Sequence, residues 1–90
     1  NEAALAEAVA AIAAQGGVAD HAACDVADRE AVARAHAQLV ARHGPISVLI
    51  NSAEFNVPER SWSTVTSTSF NSAIDANLRA TFHTVATVLP

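Results

Sequence analysis

Ninety residues with a formal charge of −4, five Arg, no Lys and no basic cluster exclude a nucleic-acid footprint or a face built for anionic membranes. A hydrophobic content of 51% excludes a disordered chain, while only 4% aromatic residues and much alanine leave any stand-alone core thin. The single Cys24 excludes a disulfide framework or thiolate cage and fits a reducing, cytoplasmic setting, and no apolar run reaches the roughly 20 residues of a membrane span.

The period of residues 2–15 predicts a helix, with Leu5, Ala8, Val9, Ile12 and Ala13 on one stripe and Gly16-Gly17 as its left-handed stop. Val18, Ala22, Cys24 and Val26 read as a strand, with Cys24 a buried small apolar residue and Asp25 near the strand's carboxyl end. Asp28 suits the N-cap of the next helix. Glu30 stands in its first turn, Ala31, Val32, Ala35, Leu39 and Val40 form its stripe, and Arg42, His43 and Gly44 end it.

After Gly44-Pro45, the run Ile46-Ser47-Val48-Leu49-Ile50 has four large aliphatics in five positions. It reads as a strand covered on both faces, as at the centre of a parallel sheet. Asn51-Ser52-Ala53-Glu54 then stands just outside a strand's carboxyl end, where open α/β sheets bind ligands. The Ser- and Thr-rich stretch from Phe55 to Thr68 predicts a surface loop with a helical turn near Trp62. Ser67 or Ser69 can cap a last helix running to about Val88, along which Phe70, Ile74, Leu78, Phe82, Val85 and Leu89 make an i, i+4 ladder. The pattern helix, strand, helix, strand, helix predicts an α/β fold with a parallel sheet.

Three polar points remain: Asp25, the Asn51–Glu54 turn, and Asn77 in the last helix beside its ladder. Asparagine competes with helical backbone hydrogen bonds, so Asn77 is either solvated or has a specific task. His21, His36, His43 and His83 are scattered without thiolate or carboxylate partners at ligand spacing, so no metal site is expected. The loop serines lack a nucleophile elbow and read as loop polar groups.

Cys24-Asp25-Val26, Leu49-Ile50-Asn51-Ser52-Ala53, Asp75-Ala76-Asn77-Leu78, Phe82 and Val88-Leu89-Pro90, with His43-Gly44-Pro45, Trp62 and Phe70, together resemble the central part of a short-chain dehydrogenase/reductase. The resemblance covers essentially the whole chain. It implies a partial Rossmann-like, doubly wound parallel sheet, with residues 1–90 the middle of one dinucleotide-binding domain without its N-terminal Gly-rich unit or C-terminal Tyr/Lys segment. It also implies hydride transfer between NAD or NADP and a small alcohol or carbonyl substrate, and a homo-oligomer formed through the 69–89 helix.

Residue by residue, Asp25 resembles the aspartate that accepts a hydrogen bond from the adenine amino group, with the Val26 backbone beside it. Asn51, Ser52, Ala53 and Glu54 occupy the places of the family's Asn-Asn-Ala-Gly motif on the ribose side of the cofactor. Asn77 resembles the catalytic asparagine, which holds a water in the proton relay to the active-site lysine and tyrosine. Ser52 is a mild departure. Glu54 adds bulk and negative charge where the family has glycine, so Glu54→Gly in a full-length version is expected to tighten dinucleotide binding.

No Gly-rich strand–helix turn, no Tyr and no Lys occur in the sequence, so three of the family's four catalytic positions lack a counterpart and the chain alone is expected to be inactive. In the strand order 3-2-1-4-5-6, the two predicted strands resemble the third and fourth, which are not neighbours. The rival reading is a truncated, non-catalytic interaction piece that packs through its last helix.

Overall fold

In a computed structural model, residues 1–53, 58 and 61–89 are described. Helix α1, Glu2–Ala14, starts at Asn1, whose Oδ1 accepts from the Ala4 N–H at 3.2 Å. It ends in a paired closure: the Gly16 N–H donates to Ala13 O at 3.0 Å and the Gly17 N–H to Ile12 O at 3.0 Å. Gly16 takes φ 81°, which favours glycine there. Helix α2, Arg29–His43, is capped by Asp28, whose Oδ1 accepts from Glu30 N at 3.0 Å and Ala31 N at 3.2 Å, and it stops at Gly44 with φ 84°. These starts and stops fall where the capping residues predict them.

The third helical run is one rod in three parts: α3, Ser67–Ile74, a π-helical segment, Asp75–Arg79, and α4, Ala80–Val88. Its cap is Thr66, whose Oγ1 accepts from Ser69 N at 3.1 Å, rather than Ser67 or Ser69. Thr66 is better placed because its extended backbone (φ −94°, ψ 158°) turns its side chain toward the first free N–H groups. The expected turn near Trp62 is present, with Thr64 N and Val65 N both donating to Ser61 O at 3.0 Å.

Both predicted strands require correction. Among the described residues there is no strand; segments 18–25 and 48–53 run between helices without a ladder. A strand is defined by backbone groups paired to a neighbour, and these two segments do not pair with each other. Nor is the second one covered on both faces. Leu49 is partly covered, while Val48 and Ile50, on the other face, are 75% and 80% exposed. Packing between separate helices is limited to α2 against α4; α1 touches no other helix among the described residues, so only one layer of helix lies over these segments. Cys24, expected in the core, is exposed for the same reason.

The core is small: Val32 from α2, with Ala80 and His83 from α4, are the buried residues among those described. The ladder of large side chains on the last helix faces largely outward, with Phe70, Leu78, Phe82 and Leu89 between 51% and 71% exposed. What faces inward is a row of smaller residues, Ala76, Ala80, His83, Thr84 and Thr87. Small side chains let α4 approach the segments beneath it, which large aliphatics would prevent.

Candidate functional site

Asp25 sits at the end of its segment in a tight turn. Its Oδ1 accepts from the Ala27 N–H at 3.0 Å and its backbone carbonyl accepts from the Asp28 N–H at 3.0 Å. A carboxylate has two oxygens; this turn uses one and leaves Oδ2 at the exposed surface. The next residue, Val26, is tied across 57 positions of sequence to the last helix, because the His83 ring Nδ1 lies 3.0 Å from the Val26 carbonyl oxygen. A carbonyl only accepts, so Nδ1 carries the proton.

Asn51, at the end of the second segment, meets the same helix. Thr84 Oγ1 lies 2.6 Å from Asn51 Oδ1 and 3.1 Å from the Thr81 carbonyl. One hydroxyl proton serves one acceptor at full strength. At 2.6 Å the Asn51 contact is an O–H···O bond in which the Thr84 hydroxyl donates to Asn51 Oδ1, leaving the Thr81 carbonyl a weaker second acceptor.

Asn77 lies in the π-helical segment. The register there widens by one residue, with the Ala80 N–H donating to Asp75 O, and such single-turn π segments concentrate at functional sites. Thr81 Oγ1 donates to the Asn77 carbonyl at 2.9 Å, and Asp75 pairs with Arg79 at 3.1 Å across the segment. Asn77 itself is exposed rather than turned into the core.

These pieces converge on one small cavity. It is lined by Val26, Asn51 and Ala53 from the two segments and by Ala76, Ala80, Thr81 and Thr84 from the helix turns around Asn77. Its volume of about 20 Å³ is enough for a single water. The structure thus brings together Val26, Asn51 and Ala53, with Asp25 and Asn77 adjacent in sequence to lining residues. Ser52 is exposed and contributes no lining. Glu54 lies outside the described residues.

Sequence reasoning missed His83, Thr84 and Thr81. The signal for His83 and Thr84 was the helical spacing of Ala76, Ala80, His83, Thr84 and Thr87, which marks a face as surely as the larger ladder does.

A second polar cluster lies at the start of the first segment. Asp20 Oδ2 is 2.8 Å from His43 Nε2 and 3.0 Å from Arg42 Nη1, and Oδ1 accepts from the His21 N–H at 2.8 Å. The His43 contact first, then Arg42 and the His21 amide, hold the Asp20 carboxyl well below the usual carboxylate range. This is a structural tie joining α2's last turn to the segment 18–20. Among the described residues no cluster of three or more His, Cys, Asp or Glu could hold a metal, and no helix is long and apolar enough to cross a membrane.

The sequence model of the family described as short chain dehydrogenase matches residues 1–90. A solved structure, a 2-keto-3-deoxy-D-gluconate dehydrogenase from Streptococcus agalactiae, superposes with a TM-score of 0.78 at 24% identity over 96% of this chain. That likeness carries the fold, a Rossmann-like arrangement. The chain spans 32% of that protein's length. No curated protein matches the chain.

Proposed function

Because the chain belongs to the short-chain dehydrogenase family, we propose that it is the central segment of an NAD(P)-dependent oxidoreductase acting on a small alcohol or carbonyl compound. In this reading Asp25 and Val26 form the adenine side, Asn51, Ser52, Ala53 and Glu54 the ribose side, and Asn77 the water-holding position of a proton relay. Segments 18–26 and 46–50 become the outer and central strands of a doubly wound sheet once strands stand between them. The single observation that supports this most is the cavity that joins Val26, Asn51 and Ala53 to the helix turns flanking Asn77.

The residues fit a dinucleotide in part. The exposed Oδ2 of Asp25 suits an adenine amino donor, and the small side chains of Ser52 and Ala53 leave room for a sugar. Among the described residues nothing suits the pyrophosphate. Gly16 and Gly17 close α1 and Gly44 closes α2, so no glycine opens a helix N-terminus to phosphate. When bound, the cofactor supplies or takes the hydride; this chain's residues orient the adenosine half and, at Asn77, hold a water. The tyrosine and lysine such chemistry needs would come from outside residues 1–90. Homo-oligomerisation through the 69–89 helix fits the outward row of Phe70, Leu78, Phe82 and Leu89, and a cytoplasmic site fits the lone free Cys24.

The test is dinucleotide-dependent turnover by the complete polypeptide that carries this sequence, assayed with NAD and NADP against a panel of alcohols and carbonyl compounds. Asp25→Ala is expected to weaken dinucleotide binding by about tenfold or more, the worth of a hydrogen bond to a charged group. Asn77→Ala is expected to lower kcat by about a hundredfold with little change in KM, the low end of what a positioned proton relay contributes. No turnover with either dinucleotide in the complete polypeptide would sink the reading.

A further inference from the structure

We propose that His83 is a positioning residue that clamps the adenine-side turn to the helix carrying Asn77. The inference rests on the dinucleotide reading above and deepens it. His83 is only 7% exposed, among the three buried residues of the described chain, and its Nδ1 lies 3.0 Å from the Val26 carbonyl oxygen. A buried imidazole without a partner is costly, so the bond selects the Nδ1-protonated form.

The consequence falls on Asp25. The turn it closes has three constraints: the Ala27 N–H on Asp25 Oδ1, the Asp28 N–H on Asp25 O, and the His83 ring on Val26 O. The first two are local to the turn and set its shape. The third reaches the last helix directly at Val26, beside the packing of α2 on α4 and Arg29 over the Phe82 ring at 5.5 Å. The aim of Asp25 Oδ2 at an adenine amino group, relative to the reacting end near Asn77, therefore depends on His83. His83 itself bonds the Val26 carbonyl and not the Asp25 carboxylate that would meet the adenine.

Side-chain geometry supplies a discriminating series. Asparagine places an N–H donor the same number of bonds from Cα as histidine Nδ1, glutamine places one where Nε2 stands, and leucine offers no donor. In the complete polypeptide, His83→Leu and His83→Gln are expected to raise the KM and Kd for the dinucleotide about three- to tenfold, the range of one net hydrogen bond. His83→Asn is expected to restore both, and kcat at saturating dinucleotide is expected to stay within about twofold of wild type in all three. A merely structural histidine would instead lower the folded fraction and leave KM and Kd of the surviving enzyme unchanged.

A second measurement needs no turnover. Imidazole ¹⁵N spectra of the complete polypeptide are expected to show His83 protonated at Nδ1, with the Val26 carbonyl ¹³C resonance moving in His83→Leu and returning in His83→Asn. A wild-type enzyme that binds dinucleotide while His83→Leu binds it equally well would overturn the clamp alone. So would an Nε2-protonated His83. A complete polypeptide that binds no dinucleotide would instead overturn the reading on which the clamp rests.

Discussion

At Asp20 a single carboxylate ties the last turn of α2 to the segment that ends at Asp25, and its pH behaviour has a definite sign. The folded-state value is depressed, by His43 and then Arg42, so the tie's contribution is fully present above the unfolded value of about 3.9 and is lost as pH falls toward the folded value. Asp20→Asn is therefore expected to lower the urea midpoint at pH 7, with a gap from wild type that narrows steadily below about pH 4. A gap constant from pH 7 to pH 2.5 would show that the carboxylate's charge is not what matters. Thr84 makes a different kind of prediction. Thr84→Val keeps the shape and removes the hydroxyl that meets Asn51 at 2.6 Å, so it is expected to cost about 0.5–1 kcal/mol. Faster amide exchange at Ser52 and Ala53, with α1 unchanged, would locate the loss at the end of the second segment; uniform acceleration would refute that placement.

Among the elements, the helices were legible from the sequence because their signals are local. Asp28, Gly16 and Gly44 act within one turn of where they stand, so capping chemistry places the ends of α1 and α2 without knowledge of anything distant. The strands were not legible in the same way. Ile46–Ile50 is apolar enough for a central strand, yet a ladder is a property of two segments, and the described residues offer this one no partner. The inward face of the last helix was misread for a related reason. Large residues catch the eye as core, whereas Phe82 lies outward beneath the Arg29 guanidinium at 5.5 Å, and the covered side is the small-residue row around Ala80. Helix α1 shows how far local signals go. Thirteen residues with a good cap but no helix to pack on are near the limit of helix stability in water. Its amides are expected to exchange at near-intrinsic rates while those of α2 around Val32 and α4 around His83 are protected. Equal protection in all three would mean that α1 packs more firmly than its contacts indicate.

At the scale of the whole molecule, surface decides what the 90 residues can do alone. A compact protein of 9.3 kDa would expose about 5,000 Å² and have a radius of gyration of about 12 Å. This chain exposes 6675 Å² and has a radius of gyration of 15.5 Å. The excess, roughly a third, is rich in apolar groups, with Val18 at 93%, Trp62 at 92% and Ile50 at 80% exposure. That is why the site was legible in outline but not in working order. Asp25, Asn51 and Asn77 are visible in sequence, while the surfaces that would hold them rigid belong to contacts the 90 residues do not make. The isolated chain is accordingly expected to unfold in urea with an m-value well below the roughly 1 kcal/mol/M of a small closed domain, and to bind an apolar dye before any denaturant is added. It is also expected to give no saturable heat with NAD or NADP at millimolar concentration. The Asp25 contact alone, worth about 1.5–3 kcal/mol, falls short of the about 4 kcal/mol that millimolar affinity requires, and among the described residues nothing cradles the pyrophosphate. A steep transition without dye binding would show that these helices close a core of their own, and a saturable calorimetric isotherm would show that the adenosine half suffices for binding.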